Sequence, residues 1–238
     1  MAFALTEEHS DLSAVAADFA RRFADTHVTR EQLDAYGAGE PAPFWDDLVA
    51  NGLHALHIGE EHGGQGGSVA DTAIVVEEFA RRLVPGAYLS TVLASAAVAA
   101  SGDCKASANG LASFAEGARG ALVPASAITG TAAAGGGWVL EGTARVLSLQ
   151  SADLLVIGFN DGATTRFALL DARGAGISRT VQACTDLTRD AGILELSSVA
   201  VGSDAILEGL GATRVETLQA CLLAVEAAGV TRWAVEAA

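Results

Sequence analysis

The apolar residues in the first half of the chain recur every three to four positions, which is the spacing of one helix face. Thr6 can cap the first helix, and a second, short helix is expected to begin near Pro43 and to stop at Asn51-Gly52. This half of the chain therefore predicts a layer of helices. The apolar face of the first helix comprises Leu12, Val15, Ala16, Phe19 and Phe23.

Three more predicted helices follow a glycine-rich segment at residues 60–67. Ser68 and Asp71 have the spacing of a capping box and open the first of them. The glycine-rich segment follows a helix rather than a strand, so we interpret it as a structural turn and not as a phosphate-binding loop. The apolar face of the capped helix comprises Val75, Phe79 and Leu83. The other two helices are predicted over residues 87–102 and 107–117.

The period changes after Gly117, where short β-branched stretches alternate with Gly and Asp turns, a pattern typical of strands. Asp161-Gly162 is a strong hairpin turn between two of them. Because no helix intervenes, these strands predict an antiparallel barrel or sandwich. Helical spacing returns at Leu210 and continues to Ala238. The strands are predicted over residues 121–127, 138–141, 144–149, 153–159, 165–171, 176–181 and 193–201.

This order of elements predicts an α+β chain in three parts. Residues 1–117 are expected to form an all-α helical domain, residues 118–209 a middle antiparallel β-barrel domain, and residues 210–238 the first helix of an incomplete C-terminal helical bundle. Apolar residues make up 50% of the sequence and charged residues 18%, so a disordered chain is not expected.

The formal net charge of −15 disfavours a polyanionic partner such as a nucleic acid. The three cysteines are odd in number and lack CxxC spacing, which argues against a disulfide framework and for a reducing compartment. The acidic N-terminus does not resemble a signal peptide, and the longest apolar stretch, residues 89–100, is too short to cross a bilayer. We therefore expect a cytoplasmic protein without a membrane segment.

The order of elements and several sequence segments resemble the acyl-CoA dehydrogenase family over nearly the whole chain. The likeness implies that family's helical domain, its β-barrel domain and the first helix of its C-terminal bundle. The segments are "LHALHIGEEHGGQGG" at 53–67, "VVEEFAR" at 75–81, "GWVLEGTARVLSLQSADLLVIGF" at 137–159, "GILELSSVAVGSDAILEG" at 192–209 and "CLLAVEAAGVTRWAVEAA" at 221–238.

The resemblance implies FAD as cofactor and an acyl-CoA thioester as substrate. In this family a carboxylate removes a proton next to the thioester carbonyl, and a hydride passes from the next carbon to the flavin. The family's usual threonine is missing from the segment aligned with residues 122–126, where Ser126 lies next to its position. The family's Trp-Ile-Thr triplet aligns with Val146, Leu147 and Ser148, so the ring-covering tryptophan is lost, while Ser148 could keep the hydroxyl contact. The candidate cofactor-binding residues implied by the likeness are Leu122, Pro124, Ala125, Ser126, Val146 and Ser148.

The resemblance also implies that the catalytic base is absent from this chain. One branch of the family carries the base on the helix that begins near Leu210, and the aligned position here is Gln219, which is not a carboxylate. In other members the base lies in the distal bundle, beyond Ala238. Glu216 and Glu226 are carboxylates on the same helix, but a solvated helix face is the simpler interpretation of both.

Other chemically active residues have ordinary interpretations. His54, His57 and His62 fit no tight set of metal ligands, so no metal site is expected. The basic residues available to the phosphates of coenzyme A are more often surface or ion-paired arginines. They are Arg81, Arg82, Arg145 and Arg189.

Two interpretations stay open within the family. The chain is either an enzyme whose C-terminal bundle lies outside this sequence, or the degenerate subunit of a heteromeric dehydrogenase acting on fatty-acyl or sterol side-chain CoA esters. The missing Trp and Thr and the residue Gln219 favour the second. Both imply β-oxidation of an acyl-CoA thioester by a homo- or hetero-oligomer. The alternatives are a non-catalytic interaction module without flavin, or a family relative that carries out monooxygenation or nitroalkane oxidation.

Overall fold

The computed structural model describes residues 6–23 and 30–238, and it begins with a layer of helices. Phe19 stacks on Phe79 with ring centroids 5.7 Å apart and meets Phe44 edge-on at 6.2 Å, so aromatic side chains join the first helix to two later segments. The helices are α1 (Glu7–Phe23), α2 (Arg30–Gly37), α3 (Trp45–Ala50), α4 (Val69–Arg81), α5 (Tyr88–Ala99) and α6 (Lys105–Ala115).

Two of the predicted helix starts, at Thr6 and at Ser68, are confirmed by their caps. The Thr6 Oγ1 atom accepts a hydrogen bond from the His9 N–H at 3.3 Å. At the start of α4, Ser68 Oγ accepts from the Asp71 N–H at 3.2 Å, and the Asp71 carboxylate accepts from the Ser68 N–H at 2.7 Å. Such a reciprocal pair satisfies two N–H groups that the first turn leaves without helical partners.

Two details of the helix predictions were wrong. The short helix α2 was not predicted, because its eight residues carry too little apolar periodicity to be recognised. Leu83 does not belong to the face of α4, since that helix ends at Arg81 and Leu83 adopts a left-handed φ of 51° outside it. The expectation about a signal peptide rests partly on residues 1–5, which lie outside the described residues.

The glycine-rich segment at residues 60–67 is a structural turn, as predicted. It folds back on residues 55–59, and its N–H groups are committed to their carbonyl oxygens rather than free for a phosphate. The donor and acceptor pairs are Gly64 to Gly59 (3.1 Å), Gln65 to Ala55 (3.1 Å), Gly66 to Ile58 (2.8 Å) and Gly67 to Leu56 (2.7 Å).

Seven strands form one sheet after the helical layer. Strand β4 pairs with β5 in antiparallel fashion, and β1 and then β2 pair with β4. The sheet continues through β2, β3, β7 and β6 by antiparallel pairing. The strands are β1 (Gly120–Val123), β2 (Ile128–Ala132), β3 (Trp138–Leu147), β4 (Leu154–Asn160), β5 (Thr165–Asp171), β6 (Ile177–Gln182) and β7 (Ala191–Val201).

The predicted α+β class and the order of helices, sheet and helix are confirmed, with one correction to the sheet. It is mixed rather than wholly antiparallel, because β1 and the Thr129–Asn160 pair run parallel to β4. The strand predicted over 121–127 ends at Val123 in β1, since Pro124 cannot donate to the ladder and a 3₁₀ turn occupies residues 125–127. Strand β2, which begins at Ile128, was not predicted. The strands predicted over 138–141 and 144–149 are the single strand β3, with a register shift between Leu140 and Gly142.

The last helix, α7 (Ala212–Ala237), packs along α4 and α5. Its buried face consists of Val215, Leu222 and Gly229, each seven residues from the next. An ideal Cβ on Gly229 would lie 2.4 Å from the carbonyl oxygen of Glu77, so α7 crosses α4 at a distance that glycine permits. Sequence analysis missed that α7 is long and apolar enough to cross a membrane by length and composition, which is weak evidence because core helices of soluble proteins also pass that test.

A shared hydrophobic cluster joins the helices to the sheet. Phe114 of α6 and Val98 of α5 lie in the same cluster as Val156 of β4 and Phe167 of β5. Leu207 and Val215, which lead into and begin α7, belong to it as well. The start of α7 is therefore held beside the ends of β1, β4 and β5, where the candidate site lies.

Candidate functional site

Four of the six candidate cofactor-binding residues line one cavity of about 350 Å³, called here the first cavity. A volume of this size lies at the small end of the range of ligand pockets. The wall from the end of β1 consists of Leu122, Val123, Pro124, Ala125 and Ser126. The facing wall comes from the β4–β5 hairpin and from α7, through Asn160, Thr165, Phe167, Ala212, Val215, Glu216 and Gln219.

The chain places this wall by ending β1 at a proline. The 3₁₀ turn of residues 125–127 that follows is fixed to β4, because the Asn160 side-chain amide donates to the Ala125 carbonyl oxygen at 3.0 Å. Gly158 allows the close approach, since an ideal Cβ there would lie 2.8 Å from the Ala125 Cβ. Asn160 thus holds the turn against the sheet beside the cavity.

A second cavity of about 250 Å³ lies further along α7. Glu216, Gln219, Leu223, Glu226 and Val230 are separated by three or four residues, so they follow one face of the helix. Glu216 lines the first cavity, and Glu226 and Val230 line the second. Leu223 is a partly exposed apolar residue between them. One face of α7 therefore connects the two cavities.

The second cavity is mostly apolar but contains one ionic cluster. Arg189, whose side chain is 18% exposed, donates from Nη2 to Glu226 Oε1 at 2.5 Å and from Nε to Asp186 Oδ2 at 2.8 Å. One arginine between two carboxylates leaves this cluster with net negative charge, so it does not favour an anionic ligand. The remaining wall includes Val76, Phe79, Leu83, Val84 and Leu89.

Val146 and Ser148, the other two candidate residues, do not reach the first cavity. Val146 is 4% exposed and faces the core of the sheet. Ser148 is 1% exposed, with a φ of 53°, and its hydroxyl oxygen accepts from the Ser90 hydroxyl at 2.9 Å. The alternation of β3 instead turns Leu147 outward, with 47% of its surface exposed. The two-residue period of a strand could have shown from the sequence that Leu147, rather than Val146, faces outward.

The loop after Ser148 is held by two charged residues that sequence reasoning missed. The buried Asp190 carboxylate accepts hydrogen bonds from the N–H groups of Gln150 at 2.7 Å and Ser151 at 3.3 Å. The Arg179 guanidinium donates to three carbonyl oxygens of the same loop, those of Leu149, Gln150 and Ala152, at 3.2–3.4 Å. Only spatial proximity identifies these residues, because they lie 27 to 40 positions further along the chain than the groups they bind.

The two buried histidines belong to the core. The His57 ring contacts the Thr72 and Ser95 hydroxyls at 3.2 and 3.0 Å, and His54 Nε2 donates to the Ala115 carbonyl oxygen at 3.1 Å. Burial, and the neighbouring His54, lower the pKa of His57 to about 4. Within residues 6–23 and 30–238, no group of three or more His, Cys, Asp or Glu side chains is arranged to hold a metal ion.

The residues of the first cavity fit part of an FAD molecule. Its apolar walls, with the Ser126 hydroxyl and the Asn160 and Gln219 amides, suit an uncharged planar ring. Among residues 6–23 and 30–238, Glu216 is its one ionisable lining residue, and no arginine or lysine lines it. A diphosphate would find no cation there, so this wall fits the ring of the flavin and not its phosphates.

Residues 6–118 match the family model for the acyl-CoA dehydrogenase N-terminal domain. Acyl-CoA dehydrogenase FadE34 of Mycobacterium tuberculosis is 30% identical over 245 residues, an alignment covering 100% of this chain and 32% of FadE34.

Two solved structures share the fold of this chain. The ChsE4-ChsE5 complex from Mycobacterium tuberculosis has a TM-score of 0.84 at 21% identity, covering 99% of this chain and 66% of that one. The Tcur3481-Tcur3483 steroid ACAD G363A variant has a TM-score of 0.82 at 23% identity, covering 96% and 65%. The chain thus spans about a third of FadE34 and about two thirds of these solved chains.

Proposed function

Because this chain belongs to the acyl-CoA dehydrogenase family, we propose that it forms part of an FAD-dependent enzyme that dehydrogenates an acyl-CoA thioester in the cytoplasm. The first cavity carries this proposal. Its lining includes the end of β1, where the family resemblance implies the flavin. It also includes the face of α7 around Gln219, where one branch of the family has its base. We also propose residues 1–117, 118–209 and 210–238 as its structural units.

The walls of the two cavities support an acyl thioester as the ligand. Gln219 and Glu226 are seven residues apart, so about 10 Å of helix separates the two cavities along α7. An acyl chain that starts in the first cavity would pass Leu223 and end among the apolar residues of the second. The chain's own residues would then orient the thioester and exclude water. A bound FAD would supply the hydride acceptor.

We infer that this chain works as one subunit of a heteromeric dehydrogenase. Among the described residues, the lining of the first cavity offers no cation to a diphosphate, and Gln219 is not a carboxylate, which favours a second polypeptide that supplies the remaining groups. The comparison structure of ChsE4-ChsE5 is a complex, and the Tcur3481-Tcur3483 protein is described as a steroid ACAD. A CoA ester of a sterol side chain or of a fatty acid is therefore the proposed substrate class.

Co-expression with a candidate partner subunit tests this proposal. We expect a yellow complex with flavin absorbance that oxidises an acyl-CoA in the presence of an artificial electron acceptor. Gln219→Trp should fill the first cavity and abolish oxidation, whereas Ala220→Trp, at the next exposed position outside the cavity lining, should retain it. A colourless complex with every partner and no turnover of a panel of fatty-acyl and steroid CoA esters would contradict the proposal and support a non-catalytic module.

A further inference from the structure

The ionic cluster of the second cavity holds a guanidinium in a mostly apolar wall. Arg189 Nε donates to Asp186 Oδ2 at 2.8 Å, and Arg189 Nη2 donates to Glu226 Oε1 at 2.5 Å. Glu226 belongs to α7 and Asp186 to the loop before β7, so two separate segments fix the orientation of the guanidinium. Only 18% of the Arg189 side chain is exposed, and Arg189 lines the second cavity.

The Nη1 atom of Arg189 has no protein acceptor in the part of the chain that the structure describes, and it is not enclosed by the protein either. Its N–H groups are therefore open to water, and the open part of this side chain is the part that lines the second cavity. Two hydroxyls of the same lining are already bonded. Thr188 Oγ1 donates to Asp186 Oδ1 at 2.6 Å, and the Tyr88 hydroxyl donates to the Leu53 carbonyl oxygen at 3.2 Å. Arg189 Nη1 is thus a charged donor available to a ligand.

A ligand that fills the second cavity displaces the water at Arg189 Nη1. A pure hydrocarbon would leave this charged donor without an acceptor, which costs free energy in apolar surroundings. A ketone or hydroxyl oxygen would replace the water, and a hydrogen bond from a charged donor is stronger than one between neutral groups. A carboxylate is disfavoured, because Asp186 and Glu226 give the cluster a net negative charge. The second cavity therefore suits an apolar group that carries an uncharged oxygen.

We propose that Arg189 determines substrate specificity by donating a hydrogen bond from Nη1 to a keto or hydroxyl oxygen on the acyl tail of the thioester. This inference rests on the proposed function for the identity of the ligand. Asp186 and Glu226 are positioning residues, because they act through the guanidinium that they hold. About 10 Å of helix separates Gln219 in the first cavity from Glu226 in the second, so the oxygen lies far along the tail and not beside the thioester.

Calorimetric binding of three matched thioesters tests the proposal without requiring their oxidation. Decanoyl-CoA, its (ω−1)-oxo derivative and its ω-carboxy derivative are titrated into the 238-residue chain, alone and in complex with its partner subunit. We expect the oxo derivative to bind about 10-fold more tightly than decanoyl-CoA, the effect of one hydrogen bond from a charged donor. The ω-carboxy derivative should bind most weakly, because the cluster is negatively charged. Arg189→Met keeps an unbranched side chain without a donor, so it should abolish the preference for the oxo derivative.

Glu226→Gln is the second variant, and it keeps the proposal testable if Arg189→Met does not fold. It removes one negative charge from the cluster but leaves Arg189 in place. The oxo derivative should stay preferred, whereas the disadvantage of the ω-carboxy derivative should shrink. A role of Glu226 in folding alone would not change this ranking of ligands. Arg173→Met is the matched control, because Arg173 is exposed and lines neither cavity.

Equal affinity of the wild-type protein for decanoyl-CoA and its oxo derivative overturns the proposal. So does an oxo preference that survives in Arg189→Met, or a wild-type protein that binds none of the three thioesters. If the complex oxidises decanoyl-CoA but shows no oxo preference, the proposed function stands and this inference fails. If the oxo derivative is preferred but no thioester is oxidised with any partner, this inference stands and the proposed function fails.

Discussion

Replacing Gly229 by alanine tests how closely α7 crosses α4. An ideal Cβ on Gly229 lies 2.4 Å from the Glu77 carbonyl oxygen and 2.8 Å from the Ala80 Cβ. Real Cβ atoms do not approach other atoms so closely, and one of the two obstacles is backbone. The helices must therefore move apart when the methyl group is added.

Two opposing effects set the size of the change. Alanine favours a helix interior over glycine by about 1 kcal/mol. Overpacking a well-filled contact costs about 1–3 kcal/mol, and a rigid backbone obstacle places this case toward the upper end. The net effect of Gly229→Ala is then a loss of about 1–2 kcal/mol of unfolding free energy. For a chain of this length, each kcal/mol corresponds to about 2–4 °C in Tm.

Urea and thermal unfolding followed by circular dichroism measure this change. The control is Ala224→Gly, an exposed position in the same helix, which isolates the propensity effect and should cost about 1 kcal/mol. If Gly229→Ala stabilises the chain by the amount that Ala224→Gly destabilises it, the close crossing of the two helices is refuted.

Three further predictions concern buried or capping groups. The pKa of His57 lies near 4 in the fold against 6.5 when unfolded, so unfolding takes up a proton and stability should fall by about 3 kcal/mol as pH drops from 6.5 to 4. His57→Gln should remove that slope in urea titrations, and an unchanged slope would contradict the assignment. Ser68→Ala should cost about 1 kcal/mol in thermal unfolding through loss of the α4 cap, and no loss would argue against the capping box. Glu226→Gln leaves Arg189 with one carboxylate partner, so we expect a loss of about 1–3 kcal/mol by urea unfolding, whereas Glu208→Gln should cost nothing measurable.

Local signals in the sequence were sufficient for most helices and for one hairpin. The Ser68–Asp71 spacing identified the start of α4, and Asp161-Gly162 identified the turn between β4 and β5. The parallel pairing of β1 with β4 could not be read in the same way, because the partners are separated by more than thirty residues. Pairing between distant strands depends on the packed sheet rather than on the alternation within either strand.

The residues of the candidate site show the same difference between local signals, which the sequence carries, and contacts between distant segments. Leu122 to Ser126 form a continuous segment, so one alignment placed four candidate residues together in the first cavity. Val146 and Ser148 depended on the register of β3, where a shift of one residue exchanges the inner and outer faces. The contribution of α7 to the same cavity required the fold, because nothing in the local sequence indicates that Glu216 faces the end of β1.

The order of strands in the sheet has a consequence for how this protein forms. β1 cannot pair until β4 has been synthesised, and β3 cannot pair with β7 until the chain has reached Val201, the last residue of β7. A ribosome therefore releases the helical layer long before the sheet can close. Contacts of such high sequence separation slow folding, and unpaired strand edges invite association with other chains in the meantime. We expect soluble yield to rise when translation is slowed or a chaperone is supplied during synthesis.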